Sequence, residues 1–288
     1  MVTPEERTDP LPKKRYQRAI LTVLLASLSM FYAPAGATAA SDIAPSPDIG
    51  VDRNPSCRRD DFRIAIDVGH TPEASGALSA RGRSEYEFNQ RLAQKIGDTF
   101  RSAGFTNTLL ILMRGQGKSQ LRERSVLASS FKADLFLSIH HDDVQPIYYD
   151  EWTYDGRRHH FSDRYAGYSI FVSSRNQFAD QSVKFATLLG TELQKRGMTF
   201  TAHHAENIRG ERRQILDHER GIYRYDQLMV LKNTKAPAVL LEAGVIVNRD
   251  EESALGSPER QKLISGAALA AAIRFCGETQ KAQARDKR

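Results

Sequence analysis

The chain has 288 residues, 40% of them hydrophobic, enough for one sizeable core or at most two small ones. A formal charge of +6 is a mild basic excess that suits a partner of net negative charge, such as cell-wall polymer or anionic lipid headgroups. Its basic residues form no stripe interleaved with aromatics, so nucleic acid is not an expected partner.

In chain order, Lys13, Lys14, Arg15 and Arg18 precede an apolar run from Ala19 to Tyr32 and the small residues Ala37-Thr38-Ala39-Ala40. That is the pattern of a secretory signal peptide over residues 1–40. The run is shorter than the ~20 residues of a spanning helix, so no stable membrane span is expected after cleavage. Removing residues 1–40 takes away five basic and three acidic side chains and leaves a charge of +4. Residues 41–60, rich in Pro, Ser and Asp, read as a linker. Export places Cys57 and Cys276 in an oxidising compartment, where a disulfide and two free thiols are both open.

From Phe62 onward apolar strand-like runs alternate with helical periodicity. Strands are predicted at residues 64–68, 109–112, 135–139, 168–172, around 229–231 and at 238–241. Helices are predicted at 84–101, with Phe88, Leu92, Ile96 and Phe100 on one stripe, and at 121–131 and 181–195. A last helix opens at Pro258 and is expected to stop at Gly277, leaving 278–288 as a polar tail. Strands without polar alternation, separated by helices, predict one three-layer α/β/α domain with a mostly parallel, roughly six-stranded sheet. Residues 142–166 and 198–219 are long, polar and aromatic, and read as functional loops.

Ligands bind at the carboxyl ends of strands in such sheets. The first predicted strand runs into His70, the third into His140 and the last into Glu242. Two imidazoles and a carboxylate on one edge are the ingredients of a zinc site, and a catalytic zinc normally takes three protein ligands. Glu85 and Glu87 are the further candidates. Glu85 shares the inward stripe with Phe88 and Leu92, whereas Glu87 fits a capping box with Ser84, so Glu85 is the ligand candidate. His141 would point to the opposite face and is expected behind the site. His159-His160 and His203-His204 fall in the polar loops, where exposed histidines usually bind nothing.

At these residues the sequence resembles the zinc-dependent N-acetylmuramoyl-L-alanine amidases of the amidase-3 type. Four segments carry the resemblance: Ile66-Asp67-Val68-Gly69-His70; Gly82-Arg83-Ser84-Glu85 with Asn89; the run from Ala133 to His140; and the run from Ala236 to Gly244 with Asn248. The family pattern has glycine after the first histidine, where Thr71-Pro72 stands here, and Ala-Asn after the third motif, where His141-Asp142 stands. The resemblance implies a catalytic domain over residues 61–277, with Zn²⁺ held by His70, Glu85 and His140 and with Glu242 as general base. It implies hydrolysis of the amide between N-acetylmuramic acid and L-alanine in peptidoglycan. The signal-peptide pattern places that activity outside the cytoplasm, and without an attached wall-anchoring repeat the expected compartment is the periplasm. An activator protein is a further expected partner, since an inserted helix plugs the metal site in some relatives. The rival readings are another exported zinc amidohydrolase or peptidase, and a latent or non-catalytic wall-binding protein.

Overall fold

The structure, a computed structural model, describes residues 57–286. The signal-peptide segment and residues 41–56 of the expected linker lie outside them. Strands are β1 (Ile64–Val68), β2 (Thr108–Ile111), β3 (Leu135–Asp142), β4 (Asp150–Tyr154), β5 (Arg157–Phe161), β6 (Ser169–Val172), β7 (Gln214–Asp217), β8 (Ile222–Arg224) and β9 (Ala238–Val245). Helices are α1 (Glu85–Ser102), α2 (Lys118–Ser130), α3 (Ala179–Gln194), α4 (Met229–Asn233), α5 (Arg249–Leu255) and α6 (Pro258–Asp286).

Among the described residues, seven strands form one mixed, mostly parallel sheet in the order β2-β1-β3-β9-β6-β8-β7. Pairing is parallel from β2 to β9 and between β6 and β8, and antiparallel at β6–β9 and β7–β8. The central strands are apolar on both faces because both are covered. Ile64, Ile66, Leu137, Ile139, Val239 and Leu241 join α1, α3 and α6 in one core. Their neighbours Ala65, Phe136, Ala238 and Leu240 pack with Ala128 of α2 and with Val230 and Leu231 of α4 on the other side. Alternate residues of each strand therefore feed opposite layers.

Three expectations are corrected. Residues 229–233 are a short helix and not a strand, with Val230 and Leu231 buried and Thr234 Oγ1 donating to the Val230 carbonyl at 2.6 Å. A short apolar run does not separate the two states by periodicity. The sheet's remaining strands come instead from β8 and from β7, the latter inside segment 198–219. Gly277 does not end the last helix, which continues to Asp286. A glycine inside a helix costs about 1 kcal/mol, and contacts around it oppose that cost. Lys184 pairs with Glu278 at 2.7 Å, and the Gln280 side chain accepts from the Arg58 backbone N–H at 2.8 Å. The same end is tied by a Cys57–Cys276 disulfide, which resolves the open question of the thiols.

Segment 142–166 folds into the β4–β5 hairpin, docked on the loop before α1. Trp152 Nε1 donates to the Ala80 carbonyl at 2.8 Å, and the Arg81 guanidinium lies over the Trp152 and Tyr154 rings. Tyr148 and Tyr165 both donate to Glu206, which links the two long segments. In neither segment is there a plug-length helix, only three-residue 3₁₀ turns. No helix among the described residues is long and apolar enough to cross a membrane.

Candidate metal centre and active site

His70 stands two residues beyond β1, and its backbone adopts a left-handed φ of 65°, uncommon for a side-chain-bearing residue. Such a conformation persists where its surroundings fix it. Arg124 of α2, 2% exposed, donates to the carbonyls of Val68 and His70 and pairs with Asp67, itself 1% exposed. Ser138 Oγ donates to the second Asp67 oxygen at 2.8 Å. Asn89 Nδ2 donates to the Gly69 carbonyl at 3.2 Å from the opposite layer. The peptides around His70 are thus clamped from both sides of the sheet.

Glu85 opens α1 with its carboxylate turned inward between two imidazoles. One oxygen lies 2.8 Å from His70 Nε2 and the other 3.0 Å from His140 Nδ1. Ala77 N–H and Asn89 Nδ2 also donate to it, at 3.2 and 3.1 Å. Burial acts to raise the Glu85 pKa, yet hydrogen bonds and charge from His140 and His70 outweigh it and hold the group well below the usual carboxylate range. Glu87 is exposed and reciprocates with Ser84 at the helix start, so the division between the two glutamates follows the helical stripe.

The three donor atoms lie within 4.8 Å of one another. Two imidazole nitrogens and a carboxylate oxygen suit a borderline divalent cation. The backbone leaves room for them only because two neighbours lack a side chain. A Cβ on Gly69 would come 2.4 Å from His140 Nε2, and one on Gly76 2.3 Å from Glu85 Oε2. The cluster opens to solvent, with the His70 side chain 32% and the His140 side chain 18% exposed.

Glu242 sits on β9 directly beside His140 of β3 in register. It is half-buried, and its Oε2 is buried with no hydrogen-bond partner. Burial first, then the negative charges of Asp142 and Glu85, push its pKa well above the carboxylate range. An unpartnered buried carboxyl oxygen costs stability. His70, Glu85, His140 and Glu242 are therefore brought together at one edge of the sheet, as expected.

His141 is buried behind the site, its Nδ1 2.8 Å from Asn89 Oδ1, and burial pushes its pKa down to about 3. His159 and His160 lie on β5 of the hairpin. His203 and His204 correct the expectation of exposed loop histidines: they are 1% and 7% exposed. A bulge between His140 and Asp142 turns Asp142 toward them. His204 bridges Asp142 Oδ2 at 2.7 Å and Glu211 Oε2 at 3.0 Å. Burial acts against its charged form, but the two carboxylates prevail and raise its pKa to about 9. Arg124 was missed by sequence reasoning, since a single arginine on a helix whose Leu121, Val126 and Leu127 are exposed carries no signal of its partner 57 residues away. Thr71, which replaces the family glycine, closes a tight turn by accepting from Ala74 N–H at 3.0 Å.

Residues 64–274 match the family model described as N-acetylmuramoyl-L-alanine amidase. The chain is similar to N-acetylmuramoyl-L-alanine amidase LytC of Bacillus subtilis (strain 168), 28% identical over 194 residues, covering 67% of this chain and 31% of that relative. It thus spans about a third of LytC. It is also similar to N-acetylmuramoyl-L-alanine amidase AmiA of Escherichia coli (strain K12), 26% identical and covering 71% of this chain and 73% of that relative. The fold is similar to that of the N-acetylmuramyl-L-alanine amidase Ami1 from Mycobacterium smegmatis, with a TM-score of 0.57 at 18% identity over 76% of this chain and 98% of that one. With the fold, the edge cluster and a family match across nearly the whole described region, the chain belongs to the N-acetylmuramoyl-L-alanine amidase family.

Proposed function

We propose that this protein is an exported peptidoglycan hydrolase that cleaves the amide between N-acetylmuramic acid and the L-alanine of the stem peptide. The observation that carries this reading is the convergence of His70, Glu85 and His140 beside the unpartnered carboxyl of Glu242. His70, Glu85 and His140 would hold Zn²⁺. A bound Zn²⁺ supplies the Lewis acidity that makes water a nucleophile near neutral pH.

Glu242 handles the protons. It takes one from the attacking water at Oε2 as the new C–O bond forms at the lactyl carbonyl. It returns that proton to the alanine nitrogen as the C–N bond breaks. Burial raises its proton affinity, which favours keeping the proton on the carboxyl between the two transfers. Asn89 and the Ala77 N–H orient Glu85, and Arg124 fixes the His70 loop, so the ligands are set before any substrate arrives.

Export accounts for the N-terminal pattern of residues 1–40 and fits the Cys57–Cys276 disulfide, a bond that persists in oxidising compartments such as the periplasm. Glu242→Gln tests the assignment directly. Zinc content should match the parent while hydrolysis of sacculi falls by roughly 10²–10⁴-fold, the usual scale of general acid–base catalysis. Parent-level hydrolysis by that variant would remove Glu242 from the mechanism.

A further inference from the structure

The second histidine cluster shares no residue with the first. Asp142 Oδ2 lies 2.7 Å from His204 Nε2 and 3.4 Å from His203 Nε2. All three residues are buried, and these donor atoms lie within 4.8 Å of one another. The far side of each ring is already held. Thr201 Oγ1 lies 2.9 Å from His203 Nδ1, and Glu211 Oε2 lies 3.0 Å from His204 Nδ1. Glu211 is fixed in turn by Gln145 Nε2 at 2.6 Å. Imidazoles that ligate metals have the outer nitrogen held by a partner in this way; the inner nitrogen of His204 is shared with Asp142, a contact that a bound ion would replace.

A second observation points the same way. His203 Nε2 is buried with no hydrogen-bond partner, although its side chain is only 1% exposed. A buried polar atom left unpaired costs stability, and this one lies 3.4 Å from the Asp142 oxygen with no hydrogen bond between them. The 3.4 Å spacing is close to the roughly 3.3 Å between neighbouring ligands of a tetrahedral ion with bonds of about 2.0–2.1 Å. With both rings neutral, Asp142 and Glu211 give the cluster two negative charges, which a dication neutralises. A cavity of about 330 Å³ lined by Asp142, His204, Glu211 and Glu242 gives an ion a way in.

We propose that Asp142, His203 and His204 form a second binding site for a divalent cation of the zinc class. The site stands on these residues alone and does not depend on the hydrolytic reading. Its competitor is a metal-free ion pair, with a protonated His204 clamped between Asp142 and Glu211.

The test strips the purified chain with a chelator, returns excess Zn²⁺ and counts bound ions by native mass spectrometry. The parent should bind two, and His203→Gln one. The double variant His70→Ala/His140→Ala should also bind one, which separates this site from the first. Anomalous diffraction from zinc-soaked crystals of the parent needs no variant and should place a peak between His203 Nε2, His204 Nε2 and Asp142 Oδ2. A single ion in the parent, two ions retained by His203→Gln, or no peak at that position overturns the proposal. A peak at His70, Glu85 and His140 alone would do so while leaving the first site standing.

Discussion

His70, Glu85 and His140 are gathered by strand ends and the first turn of a long helix, whereas Asp142, His203 and His204 are gathered by a bulge and a three-residue turn. The first set is fixed by partners from both layers of the sheet, Arg124 on one side and Asn89 on the other. The second is fixed from within the two long loop segments, by Glu211, Thr201 and Gln145. The first opens to solvent, while the second is nearly closed. On the proposed function, the difference separates a centre for turnover, preorganised by the core, from a buried one that ties the two long segments together. Chemistry needs access and fixed geometry, and the sheet edge provides both.

The largest expected effect falls on the open cluster. His140→Ala should abolish zinc retention at the first cluster and lower hydrolysis of sacculi by roughly 10³-fold or more, equivalent to about 4 kcal/mol of barrier. Retention of activity by that variant would erase the functional distinction between the clusters. The next tests the claim that the first cluster is anchored in the core. Arg124→Met leaves Asp67 buried without its partner and should cost about 3–5 kcal/mol in denaturant unfolding. A loss below about 1 kcal/mol would mean that the His70 loop is fixed by something else.

The smallest effect concerns the closed cluster. In the metal-free chain the folded pKa of His204 is raised from 6.5 to about 9. Its stabilisation is therefore fully present below pH 6.5 and is lost as the pH rises through about 9. Melting temperature should drop by a few degrees across that window in the chelator-treated parent and less in His204→Gln, since about 1 kcal/mol moves a domain of this size by roughly 2–4 °C. Equal pH profiles for the two chains would remove the charged clamp from the second cluster.

The same contrast explains what could be read from the sequence. The open cluster was legible because each member ends an apolar run or sits on a helical stripe, and Glu85 separated from Glu87 by its alignment with Phe88 and Leu92. The closed cluster was not. A bulge moves Asp142 off the strand's alternation, and nothing in the 198–219 segment announces that its 3₁₀ turn folds inward. Short elements failed for a related reason. Met229–Asn233 and Ile222–Arg224 are five and three residues long, too short to display a period, so tertiary packing decides their state. Gly277 carried a stop signal that a disulfide and the Gln280 contacts override.

The central claim is the bond that is cut, and mass spectrometry of purified sacculi after incubation with the zinc-loaded chain reads it most directly. The account predicts stem peptides released with a free L-alanine amino terminus from glycan strands that keep an intact lactyl carboxylate. Fragments cut within the stem peptide, or sacculi left whole by a chain that carries zinc at His70, Glu85 and His140, would contradict it.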